Sequence, residues 1–403
     1  MKNNNFTTVF IILCFGYLID YYDLSIFSVA RMSILRDLNV PSDEIMSVSK
    51  LMFNAQALGI FVGGILSGVW GDKIGRVSAV RLGIFLYSTA IILSIFVTSV
   101  NLFTFLRFVA GVGLAGELAA SITLLSEMSK QESRGFVASS VYFFGILGGI
   151  LTTAIVSLFN WKILFLIGGV AGFIFLFLRK YLVDSTIFMT LKQNTLIPRG
   201  SLKLLLLNKP SLLKILRLTL CLIPFWLMVF FINFAPEIAE GIGLYEKINL
   251  AYCLFMFFVG SLLGTLLFIF LGKKLKSHKK PIFIGFATMF ISIVLLCFIG
   301  QYSVELFSNL YILVGISTGY FGLYMMLLAE NFGTNQRSTG TTLTSNFGRS
   351  SFILVNLFVP FVIQISNSTF FGSILSAFII ISVSCYCLVF TRETYSTSVD
   401  YNE

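Results

Sequence analysis

Apolar runs of about twenty residues follow one another along almost the whole chain, separated by short polar turns. Each is long enough to cross a bilayer as a helix. Charge content decides which solvent they face. Of 403 residues, 57% are hydrophobic and only 11% charged, whereas soluble domains carry about 25% charged residues. Most of this surface must therefore meet lipid. Strands of a membrane barrel would give segments of roughly ten alternating residues, and the sequence has no such pattern. The fold class expected is an all-α membrane protein with twelve transmembrane helices in two pseudo-symmetric six-helix bundles.

The spans read as 7–33, 45–70, 79–99, 101–127, 135–158, 161–181, 215–238, 248–271, 281–300, 304–329, 339–365 and 369–390. Several exceed 25 residues and hold Gly or Pro, so tilts and kinks are expected. The first run continues through Asp20 and Asp23 with no small-residue cleavage site, which makes it a retained helix rather than a signal peptide.

Orientation follows from the loops. Most of the 28 Lys and Arg residues fall on alternate connections. These include Lys73, Arg76 and Arg81, the stretch from Arg179 to Arg217, and the lysines from Lys273 to Lys280. The positive-inside rule then puts both termini in the cytoplasm and the chain in a bacterial-type inner membrane as a multi-pass protein. The longest connection separates an N-terminal bundle (1–181) from a C-terminal bundle (215–403). Between them, residues 182–214 interleave Lys with Leu, as an amphipathic helix lying on the inner leaflet would. The six cysteines sit inside apolar runs without metal spacing or a disulfide framework. The single His278 lies in a lysine-rich loop and reads as solvated.

An internal echo relates the halves. Glu127 and Arg134 stand seven apart after the fourth span, and Glu330 and Arg337 seven apart after the tenth. Paired halves flanking a midplane site are how many secondary carriers are built.

Four features resemble the major facilitator superfamily, and the resemblance runs over essentially the whole chain. The loop Gly68-Val-Trp-Gly-Asp72-Lys73-Ile-Gly75-Arg76 is similar to its G-x-x-x-D-R-x-G-R-K signature, with Lys73 in place of Arg and Val77 in place of a basic residue. Asp20-Tyr-Tyr-Asp23 and the stretch from Arg107 through Gly111, Gly113 and Gly116 to Glu117 resemble the metabolite:proton symporter branch, which includes proline/betaine and organic-acid carriers. So does Arg337-Ser-Thr-Gly340 with Asn346. Arg349 departs from that branch and fits the N-x-G-R pattern of related aromatic-acid and sugar carriers.

Charges inside spans cost at least about 2.5–3.5 kcal/mol each at the bilayer centre. Asp20, Asp23, Arg107, Glu117, Arg349 and Lys50 should therefore line a wet cavity or pair with one another. Asp20 and Asp23 share a helix face and compete for ionisation, so one of them would exchange a proton near neutral pH. Asp23 is the expected coupling acid with Arg107 as its counter-ion. Asp20 and Glu117 complete the proton-coupling set, with Glu117 pairing to Arg134 or to a neighbouring helix. Substrate-binding candidates are Arg349, Arg107, Tyr22, Tyr142, Trp226, Asn233, Tyr320, Tyr324 and Asn346, with Tyr21 a further liner. An Arg can grip a carboxylate with two parallel hydrogen bonds. Gly68, Asp72, Gly75, Arg76, Glu127, Arg134, Glu330 and Arg337 are expected to form a cytoplasmic gate.

The chain shows no nucleotide loop, no metal cluster and no catalytic constellation. The expected activity is secondary transport without an enzyme's chemistry, proton-coupled, of a small carboxylate, amino acid or zwitterion, by alternating access. No cofactor is expected beyond the coupling ion, with sodium left open. Partners expected are a small-molecule substrate and the bilayer, with no nucleic acid and a functional monomer. Export of a drug or siderophore by proton antiport is the alternative, and a non-transporting solute sensor a further one.

Overall fold

The structure is a computed structural model and describes residues 2–129, 133–179, 207–333 and 336–395. Side chains at 2–5, 72, 76, 119, 120, 126, 127 and 338 lie outside the description.

The described residues make twelve helical passes. The first six are α1 (Lys2–Asp37), α2 (Ile45–Lys73), α3 (Arg76–Ser94), α4 (Val100–Leu114, resumed at Glu117–Met128), α5 (Arg134–Ile155) and α6 (Trp161–Leu178). The second six are α7 (Lys209–Asn233), α8 (Leu250–Leu275), α9 (Lys279–Gly300), α10 (Val304–Ser317, resumed at Phe321–Glu330), α11 (Arg337–Ser350, resumed at Phe352–Ser366) and α12 (Thr369–Val389). Eleven of the passes are long and apolar enough to cross a membrane, and α4 supplies the shorter apolar helix Val100–Leu114. A short helix, Ala235–Gly241, caps α7.

The pseudo-symmetry is visible in who packs on whom. In the first half, α2 packs on α4, α1 on α5, α3 on α4 and α3 on α6. Each pairing recurs with six added: α8 on α10, α7 on α11, α9 on α10 and α9 on α12. The halves meet through α2 against α11 and α5 against α8, which are also exchanged by adding or subtracting six. Glycine permits the closest of these pairings. A Cβ at Gly111 would run into the α2 backbone at Gln56, and one at Gly315 into the α8 backbone at Phe257. Such small-residue contacts let helix backbones approach in a membrane.

The structure corrects several span readings. Helix α1 runs to Asp37 rather than 33, which carries Arg31 inside the fold instead of at its rim. Residues Lys209 to Lys214 are the first turns of α7, not part of a separate linker, and the amphipathic helix expected earlier in 182–214 lies outside the described residues. Arg179, counted among solvated loop charges, is fully buried and paired with Glu117. His278 is also buried: its Nε2 sits 3.4 Å from Glu330, because the α8–α9 turn folds under the end of α10.

At the face carrying the start of α1 and the end of α12, Gly75 turns the chain between α2 and α3 with φ 149°, a value side chains rarely adopt. Gly68 lies against α11, and its carbonyl accepts from the Thr339 hydroxyl at 3.3 Å.

Candidate functional site

Midway along the passes, the halves enclose a cavity of about 120 Å³. Its wall is mainly aromatic, with Tyr17, Tyr21 and Phe53 from the first half and Phe225, Trp226 and Phe258 among those from the second. The rings brace one another: Phe225 stacks 4.4 Å from Phe321, and Phe53 meets Phe352 edge-on at 5.9 Å.

Polar groups in this wall are few. Arg349 enters from α11 and donates to the Leu114 carbonyl at 3.3 Å, where α4 is interrupted. The interruption matters, because an unbroken α4 would leave that carbonyl engaged within its own helix. Gln56 Nε2, Trp226 Nε1 and Asn233 Oδ1 are buried without a protein partner. Gln56 Oε1 accepts from Arg107 at 2.5 Å. Since Arg can only donate, the amide carbonyl must face it and the NH2 is left for the cavity. Donors thus outnumber acceptors, and no carboxylate lines the space.

Behind this wall lies a second layer of charge. Asp23 is 1% exposed, and neither of its oxygens has a hydrogen-bond partner. It sits against Gly168 of α6, and Arg107 is near enough to act on it electrostatically. The Arg107 guanidinium also lies 4.7 Å from the centre of the Phe27 ring. One turn away, Asp20 faces Arg179, Tyr87 and, from the other half, Arg349. The two aspartates therefore answer to different arginines. Neither they nor Arg107 line the cavity; they are interior to the first six helices.

The halves touch on both sides of the cavity. Toward the face carrying the start of α1 and the end of α12, Asn346 Nδ2 donates to the Ala115 carbonyl at 2.8 Å and Ser350 to the Ala57 carbonyl at 2.9 Å. Arg134 stands 4.0 Å from Glu330. Toward the opposite face, Arg31 and Glu237 form an ion pair at 2.8 Å. Beside it Asn356 donates to Asn54 at 2.8 Å, and the Arg31 guanidinium lies 5.3 Å from the Phe234 ring centre.

Of the expected substrate-binding residues, Arg349, Trp226 and Asn233 line the cavity, as does Tyr21. The others do not. Tyr22 donates to the Leu164 carbonyl at 3.2 Å inside the first half. Tyr324 donates to the Leu218 carbonyl, and Tyr320 packs between Phe268 and Phe286, both inside the second. Tyr142 is buried behind Tyr21. Asn346 is spent on the contact between halves, and Arg107 lies behind Gln56. Glu117 pairs with Arg179 at the end of α6, not with Arg134. Arg337 is buried and donates from Nε to the Phe332 carbonyl at 3.2 Å. The side chains of Asp72, Arg76 and Glu127 lie outside the described residues. Sequence reasoning passed over Gln56 and Arg31. The signal for Gln56 was its place on the glycine-lined face of α2, and for Arg31 its apolar flanks.

A family model described as Major Facilitator Superfamily matches residues 13–356. The sialic acid transporter NanX of Escherichia coli is 24% identical over 371 residues, covering 91% of this chain and 88% of that protein. The niacin transporter NiaP of Acinetobacter baylyi is 28% identical over 172 residues, covering 41% of this chain and 38% of that one. That alignment spans well under two thirds of the relative's length. Among solved structures, the proton:xylose symporter XylE superimposes with a TM-score of 0.78 at 18% identity, over 99% of this chain and 98% of that one.

Proposed function

This chain belongs to the major facilitator superfamily and is a secondary transporter in a membrane; on that premise we propose that it carries a small one-ring aromatic carboxylate together with a proton. The observation that carries the reading is the cavity chemistry. One guanidinium, from Arg349, faces an aromatic box that holds no carboxylate. A planar ring is matched by edge and face contacts with the Phe and Tyr walls. Its carboxylate is matched by Arg349 and by the two unpartnered donors, Gln56 Nε2 and Trp226 Nε1. A cavity of this size and lining suits a benzoate- or nicotinate-sized anion. The niacin specificity named for the relative points the same way. The positive loops favour a cytoplasmic position for both termini, and the substrate class places the chain near the organic-acid carriers of its family.

Coupling follows from electrostatics. With Asp23 ionised, the charge of Arg107 is offset. With Asp23 protonated, that charge is uncompensated and acts on the cavity through Gln56, whose carbonyl it already holds. An anion in the cavity is then favoured, and by reciprocity the anion favours the proton. Rocking of the halves would open the Arg31–Glu237 contact while the opposite set stays closed, and then the reverse.

One second reading has its own support. An aromatic box also holds a quaternary ammonium, so a betaine-like zwitterion would use the same Arg349. Proteoliposomes with an inward proton gradient test both. Labelled benzoate and nicotinate should accumulate and glycine betaine should not. Accumulation of betaine alone would replace the first reading with the second, and uptake of the aromatic acids unaffected by the gradient would remove the proton.

A further inference from the structure

Away from the central cavity, α7 and α12 hold two clefts that the transport reading leaves unused. One, of about 280 Å³, lies at the membrane rim on the face carrying the start of α1 and the end of α12. Lys214 and Arg217 reach it from α7, and Arg392 from beyond the end of α12, with Phe390 beside them. Among the described residues, no acidic one lines it. Lys214 is held in place, with Nζ donating to the Asn331 carbonyl at 3.1 Å and lying 5.3 Å from the Phe332 ring centre. Arg217 follows Leu213 and Leu216, both exposed on the same membrane-spanning helix. Its charge therefore sits at a level where its neighbours face lipid.

The other cleft, of about 660 Å³, is almost wholly apolar and runs between α7, α11 and α12, with Ile223, Phe358 and Val383 in its wall. Phe390 directly follows the last residue of α12, seven positions after Val383, so the two lie on one side of the helix about 10 Å apart along its axis. The basic cleft thus continues into the apolar one along a single face.

We propose that this pair of clefts binds one anionic phospholipid, its phosphate between Lys214, Arg217 and Arg392 and an acyl chain along Val383. Charge complementarity selects the headgroup: three cations drawn from two helix ends meet with no acid among them, and basic pockets at this level suit anionic headgroups. A free anion would account for the cations and leave the adjoining groove without a role. The lipid uses both.

The test is thermal unfolding of the purified full chain in mixed micelles, with phosphatidylglycerol, phosphatidylcholine or inorganic phosphate titrated in turn. A ligand of the folded state raises the midpoint in proportion to its affinity. Phosphatidylglycerol should raise it and phosphatidylcholine should not. The double variant Arg217→Gln/Arg392→Gln should match the unaltered chain without lipid and need at least about tenfold more phosphatidylglycerol for the same shift. Should the double variant not fold, Arg392→Glu alone serves, since Arg392 is exposed beyond the last helix. Equal shifts from inorganic phosphate would reassign the site to a soluble anion and overturn the proposal. Equal responses to the two lipids, or an undiminished response in the variants, would overturn it as well.

Discussion

Gln56 Oε1 accepts a hydrogen bond from Arg107 at 2.5 Å, while its amide NH2 is left buried and unpartnered at the wall of the cavity. One side chain thus touches both the substrate space and the arginine that faces Asp23. Replacing it by Leu keeps the bulk and removes both polar ends. Hydrogen bonds to charged groups contribute about 1.5–3 kcal/mol, so Gln56→Leu should weaken benzoate binding at least about tenfold. It should also flatten the dependence of that binding on pH. Isothermal titration at several pH values distinguishes this from a packing defect, which would shift affinity equally at every pH.

Arg349 is the one cation in the cavity wall. A lysine there keeps the charge and loses the planar fork. Arg349→Lys should raise KM for an aromatic carboxylate about tenfold or more and leave kcat nearly unchanged. Initial-rate uptake measures both. An unaltered KM would remove Arg349 from substrate recognition.

Arg31 and Glu237 join the halves on the side away from the chain ends. Arg31 is buried while Glu237 is 23% exposed, so removing the acid leaves a buried cation unpaired at less than the about 3–5 kcal/mol of a fully buried pair, still enough to redistribute two conformations. Glu237→Gln should therefore open that side. A cysteine at Ser28, in the cavity wall just beyond Arg31, would then react faster with an impermeant maleimide applied from that face.

Glu393 lies outside the membrane-spanning segments and caps the start of α9. Its carboxylate accepts from the Ser277 hydroxyl and from the backbone N–H groups of His278 and Lys279, the latter two at 3.0 and 3.2 Å. Burial pushes its titration upward, but these hydrogen bonds outweigh it and hold the carboxyl below the usual range. A lowered folded-state value means stability that is present above the unfolded value and lost as pH falls through the folded one. Glu393→Ala should cost about 1 kcal/mol near neutral pH, the size of a helix cap. The gap from the unaltered chain should close as pH drops below about 4.5, where an unperturbed glutamate takes up its proton. Thermal unfolding across that range reads it directly.

The fold was legible because lipid imposes a coarse rule: apolar length and loop charge suffice to count passes. Arg349 and Trp226 could be assigned because a charge or indole deep in an apolar span needs a cavity. Tyr22 and Tyr324, expected at the cavity, lie elsewhere for the complementary reason. A hydroxyl inside a span can be satisfied by the carbonyl of a neighbouring helix, and Tyr324 found Leu218 in this way. Which outcome holds depends on helix rotation, and rotation is set by packing between helices distant in sequence. The pairing of Arg179 with Glu117 was hidden by the same limit, since one lies at the end of α6 and the other opens the second part of α4.

The account rests on Asp23 as the group whose protonation favours anion binding. Asp23→Asn fixes the neutral form. Proteoliposomes holding this variant should exchange labelled for unlabelled benzoate across the membrane, yet fail to accumulate it when an inward proton gradient is imposed. Accumulation equal to that of the unaltered chain under the same gradient would contradict the account.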